Sequence, residues 1–168
     1  TALDAPLGDV ADLGCGTGLC GPLLRPWAER LVGCDLSAKM LAQARRRATY
    51  NDLVQEELVA FLTRQPRGFD TLVAADTLCY FGDLATFCKA ALSALRARGR
   101  LVFTVEALLD GKDSSYALQT NGRYAHREPY VASVIAGAGA ELLAIDSATL
   151  RHEAGLPVQG LIVVACRP

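Results

Sequence analysis

Residues 10–21, Val-Ala-Asp-Leu-Gly-Cys-Gly-Thr-Gly-Leu-Cys-Gly, constrain the fold more than any other stretch of this chain. A short apolar run passes into a turn with glycines at 14, 16 and 18, and then into residues suited to a helix start. The pattern reads as the end of a buried strand, a tight turn and the first turn of a helix, the entry to a βαβ unit. Gly14, Gly16 and Gly18 let the backbone take positive φ and let a ligand approach the main chain closely. The unpaired N–H groups at a helix start suit a polar or anionic ligand group. Asp12 falls two positions before the first glycine, at the carboxyl end of the strand.

The rest of the chain supplies matching units. Strand one is expected over residues 9–13, and a helix from Gly18 carries Leu19, Leu23 and Leu24 inward until Pro26 ends it. Strand two covers 30–35, closed by Asp35, and Ser37 caps a helix over 38–48 with Met40, Leu41 and Ala44 at helical spacing. Strand three (52–56) leads to a short helix (58–64), and strand four (69–75) ends at Asp76. A helix follows Gly82-Asp83, with Leu84, Phe87, Cys88, Ala91, Leu92 and Leu95 on one face, and stops at Gly99 before strand five (100–105) and Glu106. Residues 107–127, with Asp110-Gly and Asn121-Gly, read as a polar functional excursion. A helix over 128–138 precedes strands six (141–150) and seven (158–166), whose connection is too short for a crossover. The expected fold is α/β: a Rossmann-like three-layer sandwich, with a mostly parallel seven-stranded sheet and an antiparallel terminal hairpin whose last strand is central.

At 168 residues the chain is expected to form one domain, residues 1–168. A net charge of -1 argues against a nucleic-acid partner, since phosphate neutralisation needs surplus Lys and Arg. The six cysteines form no CxxC pair and mostly lie in apolar runs, which speaks against a zinc site and for a reducing, cytoplasmic setting. No apolar run is long enough to span a membrane, so no membrane partner is expected.

Asp12, Asp35, Asp76 and Glu106 all fall at expected strand ends, where open α/β sheets bind ligands. Two enzyme classes fit such a site. Gly16-Thr-Gly-Leu-Cys-Gly21 is literally GxGxxG, with Asp35 near the spacing of a ribose-binding acid, as in NAD(P)-dependent oxidoreductases. That fold needs a second mononucleotide half, for which the chain has little room, and the terminal hairpin suits it poorly.

The alternative rests on a resemblance. Asp12-Leu-Gly-Cys-Gly-Thr-Gly18 resembles the first motif of the class I S-adenosylmethionine-dependent methyltransferases, and the order of elements is similar over nearly the whole chain. Leu19-Cys-Gly-Pro-Leu-Leu, Val32-Gly-Cys-Asp-Leu-Ser, Tyr50-Asn-Asp-Leu-Val-Gln and Gly122-Arg-Tyr-Ala-His resemble the bacterial members fused to tetratricopeptide repeats, which implies such a region as a partner. The helical sequence that usually precedes strand one in this family is missing, so a trimmed domain without lid helices is expected. A degenerate fold serving as an interaction module is the non-enzymatic alternative.

For that cofactor, S-adenosylmethionine, Asp35 is placed to accept from the ribose hydroxyls, with Leu36 and Met40 against the adenine. The resemblance assigns Glu57 to the adenine amino group, Glu56 being the adjacent alternative. Main chain around Gly14, Gly16 and Asp76 would hold the methionine end, with Asp12 orienting the loop and Cys15 presenting a small side chain to the ligand. Tyr80, Arg123, Tyr124 and His126 are expected to line the acceptor pocket, with His126 or Tyr124 as the catalytic group and Arg123 suiting an acidic acceptor; His152 is a further candidate base. Asp76-Thr-Leu-Cys-Tyr80 lacks the Asn/Asp-Pro-Pro-aromatic run of nucleobase methylation, so the acceptor is expected to be a small molecule or a protein side chain. No metal is expected to take part.

Overall fold

The computed structural model describes residues 6–109 and 114–168. β1 (Gly8–Leu13), β2 (Ala28–Asp35), β3 (Asp52–Gln55) and β4 (Phe69–Ala74) are parallel, in the spatial order β3-β2-β1-β4. Next to β4 lies β5 (Leu95–Ala107), then β9 (Leu156–Cys166) and, at the edge, β8 (Glu141–Glu153). β9 runs antiparallel to both neighbours, which makes it central, as its apolar run implies.

The pleat divides β1 between two cores. Ala11 and Leu13 join a large cluster with Phe61, Phe87 and Ile135, from α3 (Leu58–Thr63), α4 (Ala85–Ala94) and α5 (Glu128–Ala138). Val10 points the other way, against Ala28, Leu31 and Leu24. That second face is covered by α1 (Gly21–Leu24) and α2 (Ala38–Arg46), which completes the three layers. Each fully buried leucine or phenylalanine contributes about 1.5–3 kcal/mol relative to exposure. Ser37 caps α2 as expected, its hydroxyl accepting from the Met40 amide at 3.3 Å.

The sheet departs from expectation in having nine strands among the described residues. The polar stretch after β5 contains a small hairpin, β6 (Tyr116–Leu118) and β7 (Tyr124–His126), paired antiparallel. β7 runs parallel to the last residues of β5, Glu106 and Ala107. Since β9 already occupies one edge of β5 there, β7 takes the edge that β4 vacates where it ends at Ala74. The hairpin is thereby set against the loop leaving β4. The Asp110-Gly turn lies outside the described residues.

Three boundaries move. α1 is a single turn, because Pro22 and Pro26 crowd it, and Leu19 and Leu23 are 68% and 74% exposed and not inward-facing. Leu95 belongs to β5, the chain becoming extended as soon as α4 ends. β8 runs on to Glu153, so Arg151 and His152 lie within a strand and the turn proper is short.

Candidate functional site

A cleft of about 450 Å³ opens beyond the carboxyl ends of β1 to β4. The glycine turn forms its floor. Gly14 takes φ +67°, and a Cβ there would collide with the Thr77 side chain. The Thr77 hydroxyl lies 3.1 to 3.3 Å from the carbonyl oxygens of Leu13, Gly14 and Ala75. It ties the turn after β1 to the turn after β4. The amides of Gly14 and Cys15 both donate to the Cys34 carbonyl, at 2.7 and 3.0 Å, so the loop is braced against β2 as well.

Asp35 ends β2 inside the cleft. Its Oδ2 accepts from the Gly16 amide at 2.9 Å and its Oδ1 from the Ser37 amide at 2.8 Å. A carboxylate has about four acceptor sites, so each oxygen keeps capacity for a ligand hydroxyl. A vicinal diol matches that arrangement. Beside it, Leu36 and Met40 expose apolar surface into the cleft, and Met40 is 42% accessible although at a spacing that also fits a core position. Glu57 also lines the cleft, while its Oε2 caps α3 by accepting from the Ala60 amide at 2.9 Å. Glu56 lines the cleft too and is paired with Arg64 at 2.7 Å. Asp76 lines the far wall in the left-handed region, φ +52°, with its amide donating to Thr104 Oγ1 at 2.9 Å.

Two expected cofactor contacts lie under the cleft floor. Asp12 is buried and accepts from the Tyr50 hydroxyl at 2.6 Å. Burial pushes its carboxyl up to about 6, opposed by the Tyr50 bond and helped by the Asp35 charge. Cys15 does not present its side chain to the cleft. A Cβ on Gly33 would sit 2.9 Å from Cys15 Sγ, so the thiol packs against β2, and burial together with Asp12 and Asp35 holds it far above the ordinary thiol range. It is neither a ligand-facing group nor a nucleophile.

The four expected acceptor residues separate into two pairs. Tyr80 lines the cleft, 64% exposed, with the Arg123 guanidinium 5.9 Å from its ring centre. Tyr124 and His126 stand behind that wall. The Tyr124 ring faces Tyr116 at 6.0 Å, and His126 is fully buried with Nε2 3.0 Å from the Gly82 carbonyl oxygen. Burial lowers the His126 pKa, against the main-chain groups of Gly82 and Phe81 and the charge of Glu106. A ring without access to the cleft cannot take a proton from an acceptor there, so the expectation of His126 as a catalytic group is corrected, while Tyr124 is half-buried and not among the described residues lining the cleft. His152 is exposed on β8 and is not among the described residues lining the cleft.

Sequence reasoning misses Arg151. From β8 it donates to Asp76 Oδ1 at 2.6 Å, to Glu153 at 2.8 Å and to Glu106. Arg123 pairs with Glu153 and lies 3.8 Å from Glu106. Two guanidiniums and three carboxylates thus form one network beside Asp76, in which Glu106 is buried. Its bonded partners are up to 75 positions apart, which no local motif reveals.

A family model described as a methyltransferase domain matches residues 11–103. The chain belongs to that family. The assignment removes the dinucleotide reading of Gly16–Gly21. Among curated relatives, the trans-aconitate 2-methyltransferase of Azoarcus sp. (strain BH72) is 33% identical over 127 residues, covering 73% of this chain and 49% of that protein. The biotin biosynthesis bifunctional protein of Saccharophagus degradans is 32% identical over 98 residues, 56% of this chain and 18% of that protein. This methyltransferase-family chain therefore spans half or less of the curated relatives it matches. Among solved structures, an S-adenosylmethionine-dependent methyltransferase from Mesorhizobium loti superposes with a TM-score of 0.76 at 21% identity, covering 99% of this chain and 94% of that one. The N-methyltransferase NodS from Bradyrhizobium japonicum, in complex with S-adenosylhomocysteine, gives 0.75 at 19% identity, with 97% and 79% covered. At those identities the likeness establishes the class I methyltransferase fold.

Proposed function

We propose that this chain binds S-adenosylmethionine in the cleft and transfers its methyl group to a small-molecule acceptor entering past Tyr80. The observation that carries this reading is Asp35, whose carboxylate is fixed by the Gly16 and Ser37 amides and still has acceptor capacity facing the cleft. Asp35 would take the ribose diol, Leu36 and Met40 the adenine faces, Glu57 the exocyclic amine, and the main chain at Gly14, Gly16 and Asp76 the methionine end. Asp12 acts from below by holding the loop through β1 and Tyr50.

The cofactor supplies a methyl group already activated by its sulfonium. What the protein adds is alignment, and holding an acceptor in line accounts for much of the barrier reduction in such transfers. Among the described residues lining the cleft, the titratable side chains are Asp35, Glu56, Glu57, Asp76 and Tyr80, with no histidine. An acceptor whose nucleophilic atom carries a lone pair without first losing a proton, such as a carboxylate, needs no histidine base. Arg123 beside Tyr80 supports that choice, as does the Azoarcus relative named for trans-aconitate. An acidic acceptor would compete with Glu153 for Arg123, exchanging one charge-assisted pair for another.

Incubating the protein with methyl-labelled S-adenosylmethionine and a panel of metabolites, read by mass spectrometry, tests the reading. The expected result is label in a carboxylic acid, as its methyl ester. Label confined to amines or to protein would contradict the acceptor assignment.

A further inference from the structure

His126 is too buried to meet an acceptor, yet it is elaborately held. Its ring packs beside both Tyr116, centroids 5.9 Å apart, and Tyr130, at 6.1 Å with planes 13° apart, the two tyrosine rings being 5.3 Å from each other. A carbonyl oxygen only accepts, so the contact with Gly82 places the ring proton on Nε2. Nδ1 is left as a bare lone pair with no hydrogen-bond partner among the described residues. The imidazole is thus a one-sided donor, aimed at the Gly82 carbonyl group with the Phe81 main chain beside it.

That group belongs to the loop between the Leu78–Tyr80 turn and α4, which carries the cleft wall of Tyr80 and Phe81. The loop is gripped along its length from behind. Arg123 lies over the Tyr80 ring. At Gly82 a Cβ would stand 2.9 Å from both Tyr116 Cε2 and Tyr124 Cε1, so only glycine lets the β6–β7 hairpin close this tightly. The Tyr130 hydroxyl accepts from the Leu84 amide at 2.9 Å and donates to Asp83 Oδ1 at 2.9 Å.

We propose that His126 is a positioning residue: by donating from Nε2 to the Gly82 carbonyl it latches the Tyr80–Leu84 loop to the β6–β7 hairpin and sets where the Tyr80–Phe81 wall of the cleft stands. The consequence for binding rests on the S-adenosylmethionine reading above; the latch is a property of the chain alone. Losing a buried hydrogen bond that leaves a carbonyl unpaired shifts a local opening equilibrium by about tenfold.

His126→Phe keeps a ring and removes the donor, whereas His126→Gln keeps an N–H donor. In the protein without ligand, amide exchange over residues 80–84 is expected to quicken about tenfold in His126→Phe and to return towards wild type in His126→Gln. The S-adenosylmethionine dissociation constant, by calorimetry, is expected to follow the same order. Unchanged exchange in His126→Phe, or equal acceleration in both variants, overturns the latch. Faster exchange with an unchanged dissociation constant overturns the positioning role. Should His126→Phe fail to fold, nitrogen-15 spectra of the wild-type ring decide: a neutral Nε2–H tautomer between pH 6 and 8 is expected (roughly the range where an ordinary histidine titrates), and an Nδ1–H tautomer or ordinary titration overturns the proposal. Wild-type protein that binds no S-adenosylmethionine defeats the reading of the site alone, and exchange and spectra still decide the latch.

Discussion

Asp12 and His126 are buried titratable groups that act on stability in opposite directions. The Asp12 carboxyl is raised from 3.8 to about 6, so the folded state holds a proton that the unfolded state releases. Its unfavourable contribution therefore grows as pH rises from about 4 through about 6, reaching on the order of 3 kcal/mol. The His126 pKa is lowered, so stability from that group is present above about 6.5 and lost as pH falls below it. Denaturant titrations of Asp12→Asn should show the first slope removed and the second remaining, with stability falling on acidification below pH ~6.5. Tyr50→Phe should do the reverse, removing the bond that lowers the Asp12 pKa and costing about 1–3 kcal/mol at neutral pH. The glycines and Asp35 were legible at this scale because each sits where a parallel strand ends. The placement of Cys15 is not legible, because a lone side chain between two glycines carries no pattern that says which way it turns, and it faces Gly33.

At the scale of elements, the β6–β7 hairpin and the extension of β8 decide what stands around the acceptor entrance. Neither was legible. Strands of three residues are too short for a period-2 signal, and Tyr116, Tyr124 and Tyr130 come together only after β7 pairs with the end of β5. Arg151 was invisible for the same reason, its partners Asp76 and Glu106 arriving from other strands. The network they form sets an expectation for the hairpin tip. Glu153 is 39% exposed and shares Arg123, so Glu153→Gln should release that guanidinium and tighten binding of a carboxylic acid acceptor by several-fold, to about tenfold. Competition binding with citrate or aconitate on the cofactor-loaded protein checks this, and weaker binding in the variant would count against an acidic acceptor. Arg151→Met should be more damaging, since it leaves the buried Glu106 only the longer 3.8 Å pairing with Arg123, at up to about 3–5 kcal/mol in a thermal or urea melt.

For the whole molecule, the alternation of short apolar strands with amphipathic helices was enough to foresee the three layers, the parallel order through β5 and the terminal hairpin. The cause is physical: parallel strands need crossover helices, and a strand apolar throughout, such as β9, must lie inside the sheet. That architecture puts the glycine turn, Asp35 and Asp76 at one end of the sheet, and the family match gives this end its meaning. The central claim is that Asp35 anchors S-adenosylmethionine there. Isothermal titration of the wild-type protein and Asp35→Ala with S-adenosylmethionine, alongside NADH, tests it most directly. One saturable site for S-adenosylmethionine, weakened roughly ten- to a hundredfold in Asp35→Ala and with no NADH binding, is the predicted result. Equal affinity in the two proteins, or binding of NADH alone, would contradict it.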